Sequence, residues 1–198
     1  MGSSTSRTPV FVVTGPSGAG KGTLERALLA RRPDFELAVS ATTRPQRPGE
    51  EDGLHYHFLS REEFDRLIAE GGFLEWVSYV SGHRYGTLRR EIERIHARGR
   101  VPLLDLEIDG ARHVRDEVPG AVTIFVDAPL PELERRLQER ATESSGEIGE
   151  RIALARRQKE TAGEFDYVIE NDVLERALGD LLAIVQQELD RAATMSPQ

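Results

Sequence analysis

Residues 10–14 (VFVVT) form an unbroken run of apolar and β-branched positions, which predicts a strand buried on both faces. A glycine-rich turn follows. Residues 23–31 (TLERALLAR) then predict a helix that stops before Pro33. Further apolar runs at 101–106 (VPLLDL) and 122–126 (VTIFV) predict two more buried strands. Helices are predicted over 87–99, 111–117, 131–141, 152–162 and 174–191, and a short strand over 167–169. Strands alternating with helices predict a parallel α/β sheet. Residues 37–86 break that rhythm, with short strands at 37–41, 56–59 and 73–79. Their one helix starts after Ser60, with Glu63 three residues on as a capping box, and Gly71 and Gly72 stop it. This stretch is predicted to be an inserted α+β lobe. The polar residues 144–149 predict a break between helices.

The chain has 198 residues, which suits one domain with small inserted lobes. Its net charge of −8 disfavours general nucleic-acid binding, so an anionic ligand needs a local basic pocket. Cysteine is absent, which excludes disulfides, thiolate zinc sites and cysteine nucleophiles. No apolar run is long enough to span a bilayer, and the expectation is a soluble cytoplasmic protein. Residues 1–8 are expected to be a flexible arm.

The strongest chemical signal is GPSGAGKGT, from Gly15 through Pro16, Ser17, Gly18, Ala19, Gly20, Lys21 and Gly22 to Thr23. A buried strand, this loop and then a helix make a phosphate cradle of inward-pointing N–H groups. Lys21 adds a full charge for the β- and γ-phosphates of ATP. One position departs from the motif: Gly22 stands where a Ser or Thr hydroxyl holds Mg2+. Either water and phosphates hold the metal, or Thr23 takes part of the role.

The acceptor must be read from the lobe. Residues 40–49 (SATTRPQRPG), 53–58 (GLHYHF), 73–76 (FLEW), 85–87 (YGT), the strand LLDLEIDGA, residues 135–140 (RRLQER), Arg151 and Asn171-Asp172 together resemble the guanylate kinase family from residue 11 to about 183. The resemblance implies a P-loop NTPase-type parallel sheet flanked by helices. Inserted into it are an α+β nucleoside-monophosphate lobe (about 37–87) and a short lid (about 142–155). The core is then about 9–36, 88–141 and 156–191. It implies Mg2+-dependent phosphorylation of GMP by ATP, with dGMP as a further acceptor. Ser40, Arg44, Arg47 and Tyr56 would bind the GMP phosphate. Two guanidinium forks in a Pro-rich loop suit a dianion. Glu75 would read guanine N1–H and N2–H2, Thr87 would donate to O6, and Tyr85, Asp105 and Glu107 would complete the acceptor site. Asp105 is also a metal candidate. Arg136, Arg140 and Arg151 would close over the ATP phosphates, and Asn171 would lie near the adenine.

The blander readings are a solvated basic loop at Arg44 and Arg47, a solvated strand end at Asp105 and Glu107, and i, i+4 ion pairs such as Glu132–Arg136 in place of a lid. His55 and His57 share a strand face without a third ligand, which is a weak metal signal. Two further functions stay open: a kinase with another acceptor such as AMP, and a non-catalytic interaction module. Residues 77–84 are one residue longer than the family pattern, Asp109 replaces its glutamine, and Ala141 replaces its glycine. The oligomeric state is not encoded legibly.

Overall fold

The computed structural model describes residues 8–79, 82–139 and 145–195. The glycine-rich loop joins β1 (Phe11–Thr14) to α1 (Lys21–Arg31). Next comes β2 (Phe35–Leu37) of the main sheet, and the lobe follows as β3 (Ala41–Thr42), β4 (His57–Phe58), α2 (Arg61–Ala69), β5 (Phe73–Ser78) and β6 (Arg84–Leu88). Then come α3 (Arg89–Ala97), β7 (Val101–Asp105), α4 (Ile108–Glu117), β8 (Val122–Asp127), α5 (Leu130–Glu139), α6 (Ser145–Lys159), β9 (Tyr167–Glu170) and α7 (Leu174–Met195).

The main sheet has the order β2-β7-β1-β8-β9, and every pair in it is parallel. Strand periodicity splits β1 between two cores. Phe11 and Val13 pack with Leu24 and Leu28 of α1 and with Leu181 and Val185 of α7. Val10 and Val12 pack on the other side, with Ile92, Ala111, Val114 and Phe125. The sheet is therefore covered by helices on both faces, the α/β arrangement expected. Ligands of such sheets bind outside the carboxyl ends of the strands where the strand order reverses. Here that is the end of β1, between β7 and β8.

The second sheet has the order β4-β3-β6-β5. It closes on its own small core of Ala41, Phe64, Leu67, Phe73 and Leu88. Ser60 caps α2 by accepting a hydrogen bond from the Glu63 amide at 3.1 Å. β5 and β6 are antiparallel with Glu75 opposite Thr87. The close crossing requires Gly86, since a Cβ there would lie 2.6 Å from the Glu75 carbonyl oxygen and 2.8 Å from Trp76 Cβ.

Three sequence expectations are corrected. The strand at 37–41 is two strands in different sheets, because residues 38–40 carry the chain from the main sheet to the lobe. The helix expected from Thr87 begins at Arg89, and Thr87 lies in β6, held by its ladder to β5. The polar break at 144–149 is helical from Ser145 onward. Gly146 and Gly149 cost a helix only about 1 kcal/mol each, and α6 packs along α5, with Arg156 bonded to Glu134 at 2.6 Å.

Gly86→Ala is expected to lower the unfolding free energy by about 1–3 kcal/mol through overpacking against backbone. Gly179→Ala, on an exposed turn of α7 with nothing within 4 Å of the new Cβ, is expected to raise it by up to about 1 kcal/mol. Urea denaturation of both variants checks the pair.

Candidate active site

The loop between β1 and α1 begins with Gly15 at φ 137°, where a Cβ would sit 2.1 Å from the Val126 carbonyl oxygen of β8. No side chain fits, so the chain turns tightly enough to aim its amides inward. The loop carbonyls then point outward and need donors. Lys21 Nζ donates to Gly15 O at 2.9 Å. Arg136 Nη1, on α5, donates to Gly18 O at 3.2 Å and Ala19 O at 3.3 Å. Asn171 Nδ2, just past β9, donates to Ala19 O at 2.8 Å. Arg151 Nη2, on α6, reaches Ser17 Oγ at 3.3 Å. The structure thus brings Arg136, Arg151 and Asn171 onto the phosphate loop. Arg140 lies outside the described residues. Asn171 is buried, and its amide nitrogen braces the loop. Arg136 also keeps the blander contact, a 2.7 Å bond to Glu132.

Beside the loop, Asp105 ends β7 and Glu107 precedes α4. A cleft of about 390 Å3 joins Lys21, Asp105 and Glu107 to Ser40, Tyr56, Glu75, Tyr79 and Tyr85 of the lobe. Glu75 is no exposed strand residue. It is buried, and its Oε1 accepts from the Thr87 hydroxyl at 2.9 Å. Burial raises its pKa, while the Thr87 hydroxyl and amide pull the other way. Thr87 is buried, and its hydroxyl is engaged with Glu75. Gly110 of α4 leaves the room this requires, since a Cβ would come within 2.8 Å of Glu75 Oε2. Tyr85 meets Tyr56 and Tyr79 edge-on at centroid distances of 6.0 and 5.1 Å. Burial and a hydrogen bond to Glu107 push the Tyr79 hydroxyl up.

The Pro-rich loop holds its arginines differently. Arg44 forks onto Glu50 at 2.8 and 3.0 Å and lies 5.3 Å over the Tyr56 ring. Arg44 is the main cause that brings the Glu50 carboxyl down to about 2. Arg47 gives only its amide to Glu50, at 2.8 Å, and its side chain is exposed. His57 is 3.7 Å from Glu91, and among the described residues no group of three or more His, Cys, Asp or Glu could hold a metal.

Sequence reasoning missed Glu25, Glu50 and Tyr79. Glu25 had a legible signal, because it lies one helical turn after Lys21 and so on the same face of α1. It is buried, its Oε1 has no hydrogen-bond partner among the described residues, and desolvation first and Asp105 second push its pKa up to about 8. Asp105 opens onto the cleft, yet its pKa is also raised, by the surrounding protein and by Glu107 against Lys21. These oxygen donors fit Mg2+, which is commonly held by one or two carboxylates plus substrate phosphates. Thr23 Oγ1 accepts from Arg26 at 3.2 Å.

A carboxyl whose pKa is higher folded than unfolded contributes stability that is complete below about 4.5 and lost as pH rises toward about 8. Ligand-free protein should therefore lose thermal stability across that window, and Glu25→Gln should flatten the loss. Melting curves at pH 5 to 8 test the sign, and parallel slopes in the two proteins would refute the assignment.

The sequence matches the family model described as guanylate kinase over residues 6–188. It is 48% identical over 183 residues to a guanylate kinase of Symbiobacterium thermophilum, covering 92% of this chain and 86% of that one. It is 49% identical over 179 residues to one of Rubrobacter xylanophilus, covering 90% and 93%. A crystal structure of guanylate kinase from Anaplasma phagocytophilum superposes with a TM-score of 0.72 at 28% identity, covering 93% of this chain and 87% of that one. Phosphate loop, lobe and sequence agree, and the chain belongs to the guanylate kinase family.

Proposed function

We propose that the protein transfers the γ-phosphoryl group of ATP to GMP, giving ADP and GDP, and that it also accepts dGMP. The observation that carries this reading is the single cleft with Lys21 at one end and the buried Glu75 at the other. The names of the relatives support the same activity.

The loop amides and Lys21 hold the ATP phosphates, and the main sheet with its helices is the donor half. The lobe of about residues 37–87 is the acceptor half. Glu75 accepts from guanine N1–H and N2–H2, and those two donors supply the charge-stabilising bonds that burial denies the free carboxylate. Thr87 fixes the angle of that carboxylate. Glu107, held by Tyr79, lines the same cleft, and Tyr85 contributes an aromatic wall. Ser40, Arg44, Arg47 and Tyr56 receive the GMP phosphate. Glu50 pre-sets the Arg44 fork, and the free Arg47 guanidinium swings in when the anion arrives.

A GMP phosphate oxygen attacks the γ-phosphorus in line, and the bond from that phosphorus to the β,γ-bridging oxygen breaks as ADP leaves. With a second pKa near ~6 the attacking phosphate is already ionised at neutral pH, so no side chain need remove a proton. The work of the protein is positioning and charge neutralisation by Lys21 and the arginines. Bound Mg2+ would supply charge neutralisation to the ATP phosphates, with Asp105 as the carboxylate and Thr23 as a hydroxyl candidate that would hold it. Arg136, Arg140 and Arg151 neutralise the ATP phosphates, Arg151 from within a lid at about 142–155 whose closure excludes water.

With saturating Mg-ATP, kcat/KM for GMP is expected to exceed that for AMP by a factor on the order of 10⁴, since adenine leaves Glu75 unpaired. A coupled assay of ADP release across the nucleoside monophosphates measures it, and comparable turnover of AMP would sink the base assignment. Lys21→Ala is expected to lower kcat by about 10²–10³ or more with an unchanged circular dichroism spectrum. A near-normal rate would show that the loop is not the donor site.

A further inference from the structure

The chain lacks the loop hydroxyl that ordinarily holds Mg2+, because position 22 is glycine. Space does not explain the glycine. A Cβ there would meet Arg26 Nη1 at 3.6 Å and Glu25 Oε2 at 4.0 Å, both ordinary contacts. The group nearest the missing side chain on its acidic side is thus a carboxylate of the same helix. Glu25 stands three residues after Gly22 and four after Lys21, so all three share one face of α1.

Three further facts make Glu25 an unusual residue for the start of a helix. It is only 4% exposed. Its Oε1 is buried with no hydrogen-bond partner among the described residues. The charges acting on it are Asp105, from the end of β7, which opposes its ionisation, and Lys21 and Arg26, which favour it, the Lys21 ammonium being bonded to the Gly15 carbonyl. Two acidic groups from different elements therefore meet beside the phosphate loop, and Lys21 and Arg26 only partly offset the cost of burying Glu25, whose Oε1 stays without a hydrogen-bond partner among the described residues.

We propose that Glu25, together with Asp105, forms the anionic seat for nucleotide-bound Mg2+ and takes over the role of the hydroxyl absent at Gly22. This rests on the phosphotransferase reading above. Mg2+ is satisfied by one or two carboxylates, waters and substrate phosphates, so no third protein ligand is required. Glu25 is then a metal-positioning residue in this chain, and its burial explains why it is poised for an ion and not for water.

The test uses Mn2+ as the probe and the full-length protein with a β,γ-imido analogue of ATP, which is not turned over. Electron paramagnetic resonance of free Mn2+ gives the metal affinity of the protein–nucleotide complex, and calorimetry in EDTA gives the metal-free nucleotide affinity. Glu25→Gln is expected to weaken Mn2+ binding by about 10- to 100-fold and to leave the metal-free affinity unchanged. Adding Gly22→Ser to Glu25→Gln is expected to recover part of the Mn2+ affinity. Equal Mn2+ affinities in wild type and Glu25→Gln would overturn the proposal, as would loss of metal-free binding in that variant, which marks a structural role. No gain from Gly22→Ser would overturn the claim that Glu25 replaces the hydroxyl. A wild-type protein that binds the nucleotide in neither condition would instead overturn the phosphotransferase reading, and this inference with it.

Discussion

A loop that turns its amide hydrogens toward an anion must turn its carbonyl oxygens away from it, and those carbonyls need donors. Most of the site follows from that requirement. Gly15 O takes Lys21, Gly18 O takes Arg136, and Ala19 O takes both Arg136 and Asn171. The donors come from the first turn of α1, from α5 and from the end of β9. Three elements far apart in sequence are thereby pinned around six residues of backbone. Residues that look like substrate ligands in the sequence are in part braces for the loop backbone. Arg136 is anchored to Glu132 and to two loop carbonyls at once, so its position is fixed before any phosphate arrives.

The same economy appears in the lobe. Arg44 is already forked onto Glu50 and stacked over Tyr56. A bidentate pair orders a long side chain at the cost of competing with an incoming phosphate for its donors. Glu75 shows the opposite compromise. Its carboxylate is buried against the hydroxyl and amide of Thr87, which leaves it acceptor capacity that a ligand's donors can fill. An under-bonded buried group is a discriminating one, because a ligand that cannot pair with it leaves the whole desolvation cost standing.

Charge balance links the two halves. The chain carries a net −8, yet its proposed ligands are polyanions. Lys21 and the arginines concentrate positive charge around the loop. The carboxylates Glu25, Asp105 and Glu107 crowd the neighbouring strand end, where burial and mutual repulsion raise the pKa of the first two. Such a patch is costly in the free protein and suited to a divalent cation arriving with its nucleotide.

The sequence alone determined the strand–loop–helix around GPSGAGKGT, the parallel α/β core and the existence of an inserted lobe. Each rests on local pattern: apolar runs, glycine spacing and helix caps. It also carried the resemblance that named Arg44, Arg47, Glu75 and Asp105 as site residues, of which Glu75 and Asp105 line the cleft with Lys21. Four things were decided only in the tertiary structure. Thr87 became a strand residue because its ladder partner is Glu75, twelve positions away, and the polar stretch after Ser145 became helix by packing on α5. Glu75 became buried because Gly86 and Gly110 let β6 and α4 close on it. Glu25, unremarkable in TLERALL, became the most perturbed carboxyl of the site because the fold buries it and, secondarily, because β7 brings Asp105 near it. Local periodicity tells which face a residue occupies, but only contacts between distant segments set the dielectric and the charges that face encounters.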